Sequence, residues 1–135
     1  MRAIFPFLLL LAACSKQPAG PELTGGPFVG AGRDRLCIAG EAGALRAGLI
    51  AYGNGDVNCS AAGKLERTEQ DWVLVPKGEG DCRIPLKIEG DSVSVGQPPA
   101  ACAYYCGPAA TMAGKAFARS DAATKAVDLA GDPLC

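Results

Sequence analysis

Cys82-Arg83-Ile84-Pro85-Leu86-Lys87-Ile88-Glu89-Gly90-Asp91-Ser92-Val93-Ser94-Val95 is the stretch that decides the fold. Side chains on an extended chain alternate between two faces, so Ile84, Leu86 and Ile88 share one face and Arg83, Lys87 and Glu89 the other. Gly90-Asp91 is a turn signal, and Val93 and Val95 then alternate against Ser92 and Ser94. Two alternating runs joined by so short a connection form an antiparallel hairpin, because a parallel pair needs a crossover of about a dozen residues. Pro85 falls on the polar face. It places the run at an edge or a bulge, since proline donates nothing to a strand ladder.

The same punctuation continues towards the N-terminus. Trp72-Val73-Leu74-Val75 is aromatic and β-branched, stopped by Pro76, and Lys77 to Asp81 is a turn. Lys64 to Thr68 reads as a weak edge strand. Val57 to Ser60 reads as extended, following the turn Gly53-Asn54-Gly55-Asp56. Ala47 to Tyr52 and Leu36 to Ala39 are short apolar runs. Together these predict an antiparallel meander of roughly six strands that can curl into a small barrel.

The C-terminal third changes character. Ala109, Met112, Ala113, Ala116 and Phe117 recur at helical spacing, and Pro108 suits a first helical turn. Gly114 weakens that helix, and the rival reading makes Lys115 to Arg119 a closing strand. Ser120 is placed to cap a second helix over Asp121 to Ala130, which Gly131 and Pro133 would end. The expected class is α+β, mainly β. It is a small antiparallel meander or barrel with one or two short C-terminal helices, stapled by disulfides.

Seven cysteines are present, and histidine is absent. The missing histidine removes the usual general base, the usual metal ligand and every Ser-His or Cys-His nucleophile. Cys14 stands apart from Cys37, Cys59, Cys82, Cys102, Cys106 and Cys135. An even set of six in a small exported domain reads as three disulfides rather than a thiolate metal site, for the spacing lacks paired Cys-x-x-Cys knuckles. Six cysteines allow 15 pairings. Cys82 shares the parity of Ile84, and Cys59 that of Val57, so both point inward, and Cys59–Cys82 is the expected bridge. No metal and no cofactor is expected. The formal net charge of −1 makes no electrostatic case for nucleic acid.

The N-terminus carries Arg2, the apolar run Ile4 to Leu11 and Leu11-Ala12-Ala13-Cys14. These are the parts of an export signal. The Leu-Ala-Ala-Cys ending resembles the lipobox of bacterial lipoproteins. That resemblance implies cleavage before Cys14, lipidation of Cys14 and a membrane anchor. Residues 1–13 are then the signal peptide. Residues 14–27, rich in Pro and Gly, form a flexible tether of at most about 40 Å, and 28–135 form one globular domain. Ser15 follows the cysteine where aspartate would signal inner-membrane retention, so the resemblance implies the outer membrane of a bacterial envelope, facing the periplasm.

Three further features bear on function. Cys102-Ala103-Tyr104-Tyr105-Cys106 either packs both tyrosines between sheet and helix, the blander reading, or presents Tyr104 and Tyr105 to an envelope protein partner. Trp72 is a core candidate before it is a ligand-cleft residue. Glu79, Asp81, Glu89 and Asp91 sit in or beside turns, where acidic residues serve backbone needs rather than paired carboxylate catalysis. The body is also similar in general design to small lipidated lysozyme inhibitors. Those enter the lysozyme cleft with a Ser-Gly-x-x-Tyr loop, and the nearest string, Ser60-Ala61-Ala62-Gly63-Lys64, lacks the tyrosine. The expectation is therefore a non-catalytic envelope lipoprotein with a binding or structural role, the alternative a lysozyme-inhibitor-like protein.

Overall fold

A computed structural model describes residues 23–135, and in it the meander closes on itself. The expected signal peptide, Cys14 and most of the expected tether lie outside the described residues. The strands are β1 (Gly26–Val29), β2 (Arg35–Ala39), β3 (Arg46–Tyr52), β4 (Asn58–Arg67), β5 (Trp72–Pro76), β6 (Ile84–Glu89), β7 (Ser92–Val95) and β8 (Ala116–Arg119). Each pairs antiparallel with the next, and β1 closes the barrel on β8 through Phe28↔Arg119 and Val29↔Ala118. There are thus eight strands, not six.

Two of the differences are local. Val57–Ser60 and Lys64–Thr68 are not separate strands but parts of β4, which runs unbroken through Gly63 and pairs with β3 on one side and β5 on the other. Gly63 is required there because a Cβ would collide with the Val75 carbonyl. β1 begins at Gly26, two residues inside the stretch assigned to the tether.

The helical expectation is corrected. Residues 109–115 form turns, with Ala109 at φ 62° and Gly114 at φ 74°, values no right-handed helix contains. The closing strand is the rival reading, β8. Residues 121–130 form no helix either, but turns closed by a bridge between Val127 and Pro133. Among the described residues the helical element is one short 3₁₀ helix at Ala100–Tyr105. Alanine explains the misreading: it fits an apolar stripe of any period without needing to be buried.

The interior alternates as strand parity demands. Phe28, Leu36, Leu49, Leu74, Ile84 and Leu86 are fully buried and belong to one core cluster. Two ends follow from the topology. The connections β1–β2, β3–β4, β5–β6 and β7–β8 lie at one end. Residues 23–25 and the start of the tail at Ser120 lie at the other. The long β7–β8 connection, residues 96–115, caps the first end and contributes Cys102, Ala110 and Met112 to the core.

Candidate interaction surface

The cap is built from an uncharged stretch. Residues 96–114 contain no Asp, Glu, Lys or Arg. Such a stretch would collapse onto apolar surface without constraint, and covalent bonds constrain it here. Cys102 bonds to Cys82, just ahead of β6, and Cys106 bonds to Cys59 on β4. The expected Cys59–Cys82 bridge is therefore corrected. Both cysteines are buried, but β5 lies between β4 and β6, so they are not on neighbouring strands. The cap brings each its partner. The third bridge, Cys37–Cys135, ties the C-terminus to β2.

Backbone hydrogen bonds complete the cap. Gly107 N–H donates to the Asn58 carbonyl (2.9 Å) and Gly114 N–H to the Val95 carbonyl (2.8 Å). Gly107-Pro108-Ala109-Ala110 is a tight turn closed by Ala110 N–H on the Gly107 carbonyl (3.1 Å). Proline at its first central position and a positive φ at its second match a type II turn, whose second position normally takes glycine. Ala109 therefore sits in a strained backbone conformation, a condition that recurs at ligand clamps and binding loops.

The two tyrosines are separated by this frame. Tyr105 is half-buried against the core, with its hydroxyl 3.5 Å from the Lys77 carbonyl. Tyr104 is 87% exposed, so the reading that packs both rings inside is corrected for this one. Its ring meets Tyr105 edge-to-face, centroids 5.2 Å apart. An exposed aromatic between two disulfide-bonded cysteines loses little freedom on contact, which favours binding at low entropic cost. A shallow groove beside it is lined by Pro98, Pro99, Ala103, Pro108 and Ala109.

The other candidate residues are not assembled into a site. Glu79, Asp81, Glu89 and Asp91 are exposed, with Glu89 3.3 Å from Lys87 and Asp91 2.9 Å from Arg119. Trp72 is half-buried at the end of the barrel opposite the cap, under the Arg67 guanidinium, 5.3 Å from its ring centre. Ser60–Lys64 lies inside β4 and protrudes nowhere. Among the described residues no group of three His, Cys, Asp or Glu could hold a metal ion, and no helix is long and apolar enough to cross a membrane.

Two polar locks escaped the sequence reading. Asp34, 4% exposed, accepts Tyr52 N–H on Oδ1 (2.8 Å) and faces the Lys115 ammonium with Oδ2 (3.9 Å), so the β1–β2 connection meets the end of β3 and the β7–β8 connection beneath the cap. Arg119 points into the barrel at the other end, its guanidinium 4.7 Å above the Phe28 ring. It donates to Asp91 Oδ1, the Gly25 carbonyl and the Thr24 carbonyl at 2.9, 2.8 and 3.0 Å. An arginine at an inward position of a closing strand was the available signal, once β8 was recognised as a strand. Compared with protein-family models, curated proteins and solved structures, the chain finds no match.

Proposed function

We propose that this protein is a non-catalytic binding module of the bacterial envelope, anchored by lipid at Cys14, that docks a protein partner through its cap. The observation carrying this reading is Tyr104: a large aromatic almost fully in water, held between Cys102 and Cys106 in a frame of two disulfides. Rigid tyrosines are favoured anchors of protein interfaces, giving contact area and a polar tip for few frozen rotors. The uncharged cap favours an uncharged partner surface over nucleic acid or an anionic sheet. Three disulfides are in keeping with an oxidising compartment, as export ahead of Cys14 requires.

Two measurements test it. Cells expressing the full chain and fed labelled palmitate should incorporate label into the wild type and none into Cys14→Ala. A partner recovered from solubilised envelope on the lipidated protein, then purified, should bind wild type and lose at least tenfold affinity for Tyr104→Ala. Equal affinity would remove the cap from the interaction. The lysozyme-inhibitor alternative shares the small disulfide-bonded barrel, and inhibition of lysozyme at micromolar protein would favour it instead.

A further inference from the structure

Residues 120–135 cross the outside of the barrel. Ser120 N–H donates to the Pro27 carbonyl (3.0 Å), Arg35 Nε to Thr124 Oγ1 (3.2 Å), and the segment ends in the Cys37–Cys135 bond on the outer face of β2. Beneath it lie Gly48 and Ile50, two outward residues of β3. Ile50 is 1% exposed although it faces away from the interior and is not part of the barrel's core cluster. A Cβ on Gly48 would stand 2.6 Å from both Leu134 Cβ and the Leu134 carbonyl oxygen, so the tail backbone rests directly on β3. Leu134 N–H donates to the Ala126 carbonyl (3.0 Å), and Ala126 is buried though outside the core cluster. The tail thus has its own small apolar seat, separate from the barrel interior.

The bridge that holds it differs from the other two. Cys37 and Cys135 are both half-buried, whereas Cys82 and Cys102 are both buried and the half-buried Cys106 is bonded to the fully buried Cys59, so only the tail bridge can be approached from either side. Attack on a disulfide needs a thiolate to reach a sulfur, so the accessible bridge reacts first.

We propose that residues 120–135 are a redox-released strap: an exported dithiol of the Cys-x-x-Cys class reduces Cys37–Cys135, freeing the tail and opening the apolar groove over Gly48 and Ile50, while the two cap bridges stay closed. One thiolate of the dithiol attacks Sγ of Cys135, forming a mixed disulfide. Cys37 leaves as a thiolate and takes a proton from water. The second thiol of the reductant, deprotonated, attacks the mixed disulfide and releases Cys135, which is protonated in turn. Two electrons pass from the dithiol, now a disulfide, to the Cys37–Cys135 bond.

The test uses the oxidised full chain and dithiothreitol as the dithiol, with alkylation mapped by peptide mass. Cys37 and Cys135 should be labelled at a concentration at least tenfold below that opening Cys59, Cys82, Cys102 or Cys106. In that state the amides of residues 123–134 should exchange at least tenfold faster, with strand amides unchanged. Opening of all six cysteines over one range, or selective opening without faster tail exchange, overturns the proposal. Gly48→Ala provides the second arm. It pushes against the seated tail, so Cys37–Cys135 should open at several-fold lower dithiothreitol, and the substitution should leave the melting of a Cys37→Ser/Cys135→Ser chain unmoved. An unshifted midpoint, or an equal loss of stability with and without the bridge, means the tail does not occupy that groove.

Discussion

Ala109 and Asp34 carry more than their sequence context advertises. A non-glycine residue in the left-handed region costs about 1 kcal/mol or more, and Ala109 at φ 62° bears that cost in the cap. Ala109→Gly removes the strain but gives the unfolded chain more freedom, so a net gain of a few tenths of a kcal/mol is expected. Ala109→Val should instead lose more than about 1 kcal/mol, since a β-branched side chain tolerates that conformation least. Denaturant midpoints of the two variants should move in opposite directions. Asp34→Ala strands the Tyr52 N–H without its acceptor, a loss of about 1–3 kcal/mol. Asp34→Asn keeps an acceptor oxygen and should lose less. The Lys115 contact at 3.9 Å is partly solvated and adds little.

At the scale of elements, the strands that bury one face were legible. Ile84, Leu86 and Ile88 alternate cleanly, and the structure buries Ile84 and Leu86 completely. β4 was not legible as one strand because its inward residues include Ala61 and Gly63, which carry little apolar signal. The reason for that glycine is contact between neighbouring backbones, which no periodicity records. Gly63→Ala should force β4 away from the Val75 carbonyl, with a loss of about 1–3 kcal/mol from overpacking and broken ladder bonds. Thermal unfolding should show it, and faster exchange of the Lys77 amide, which donates to the Ala62 carbonyl, should localise it to the β4–β5 side. The cap lay further out of reach. Tyr104 could be singled out as a residue, but its exposure depends on which cysteines hold the loop, and that pairing is set by the position of β5 between β4 and β6.

At the scale of the whole molecule, short strands of four to ten residues enclose a small core, and the covalent links matter accordingly. Each bridge contributes roughly 2–4 kcal/mol in the chain-entropy account, against a total margin of about 5–15 kcal/mol for a domain of ordinary stability. Complete reduction of Cys37–Cys135, Cys59–Cys106 and Cys82–Cys102 should therefore unfold the barrel at 37 °C. Near-ultraviolet dichroism of the fully reduced, alkylated chain should lose the signal of Trp72 and the tyrosines. Persistence of that signal would show that the apolar interior suffices alone.

The β1–β8 ladder sets a condition on synthesis. Its partners, Phe28 with Arg119 and Val29 with Ala118, stand at opposite ends of the polypeptide. Contacts of such long separation form late and slowly. A ribosome that has made the first hundred residues has made every strand but the last, and β1 still has one flank without a neighbour. Until translation passes Arg119 the barrel lacks the strand that closes it.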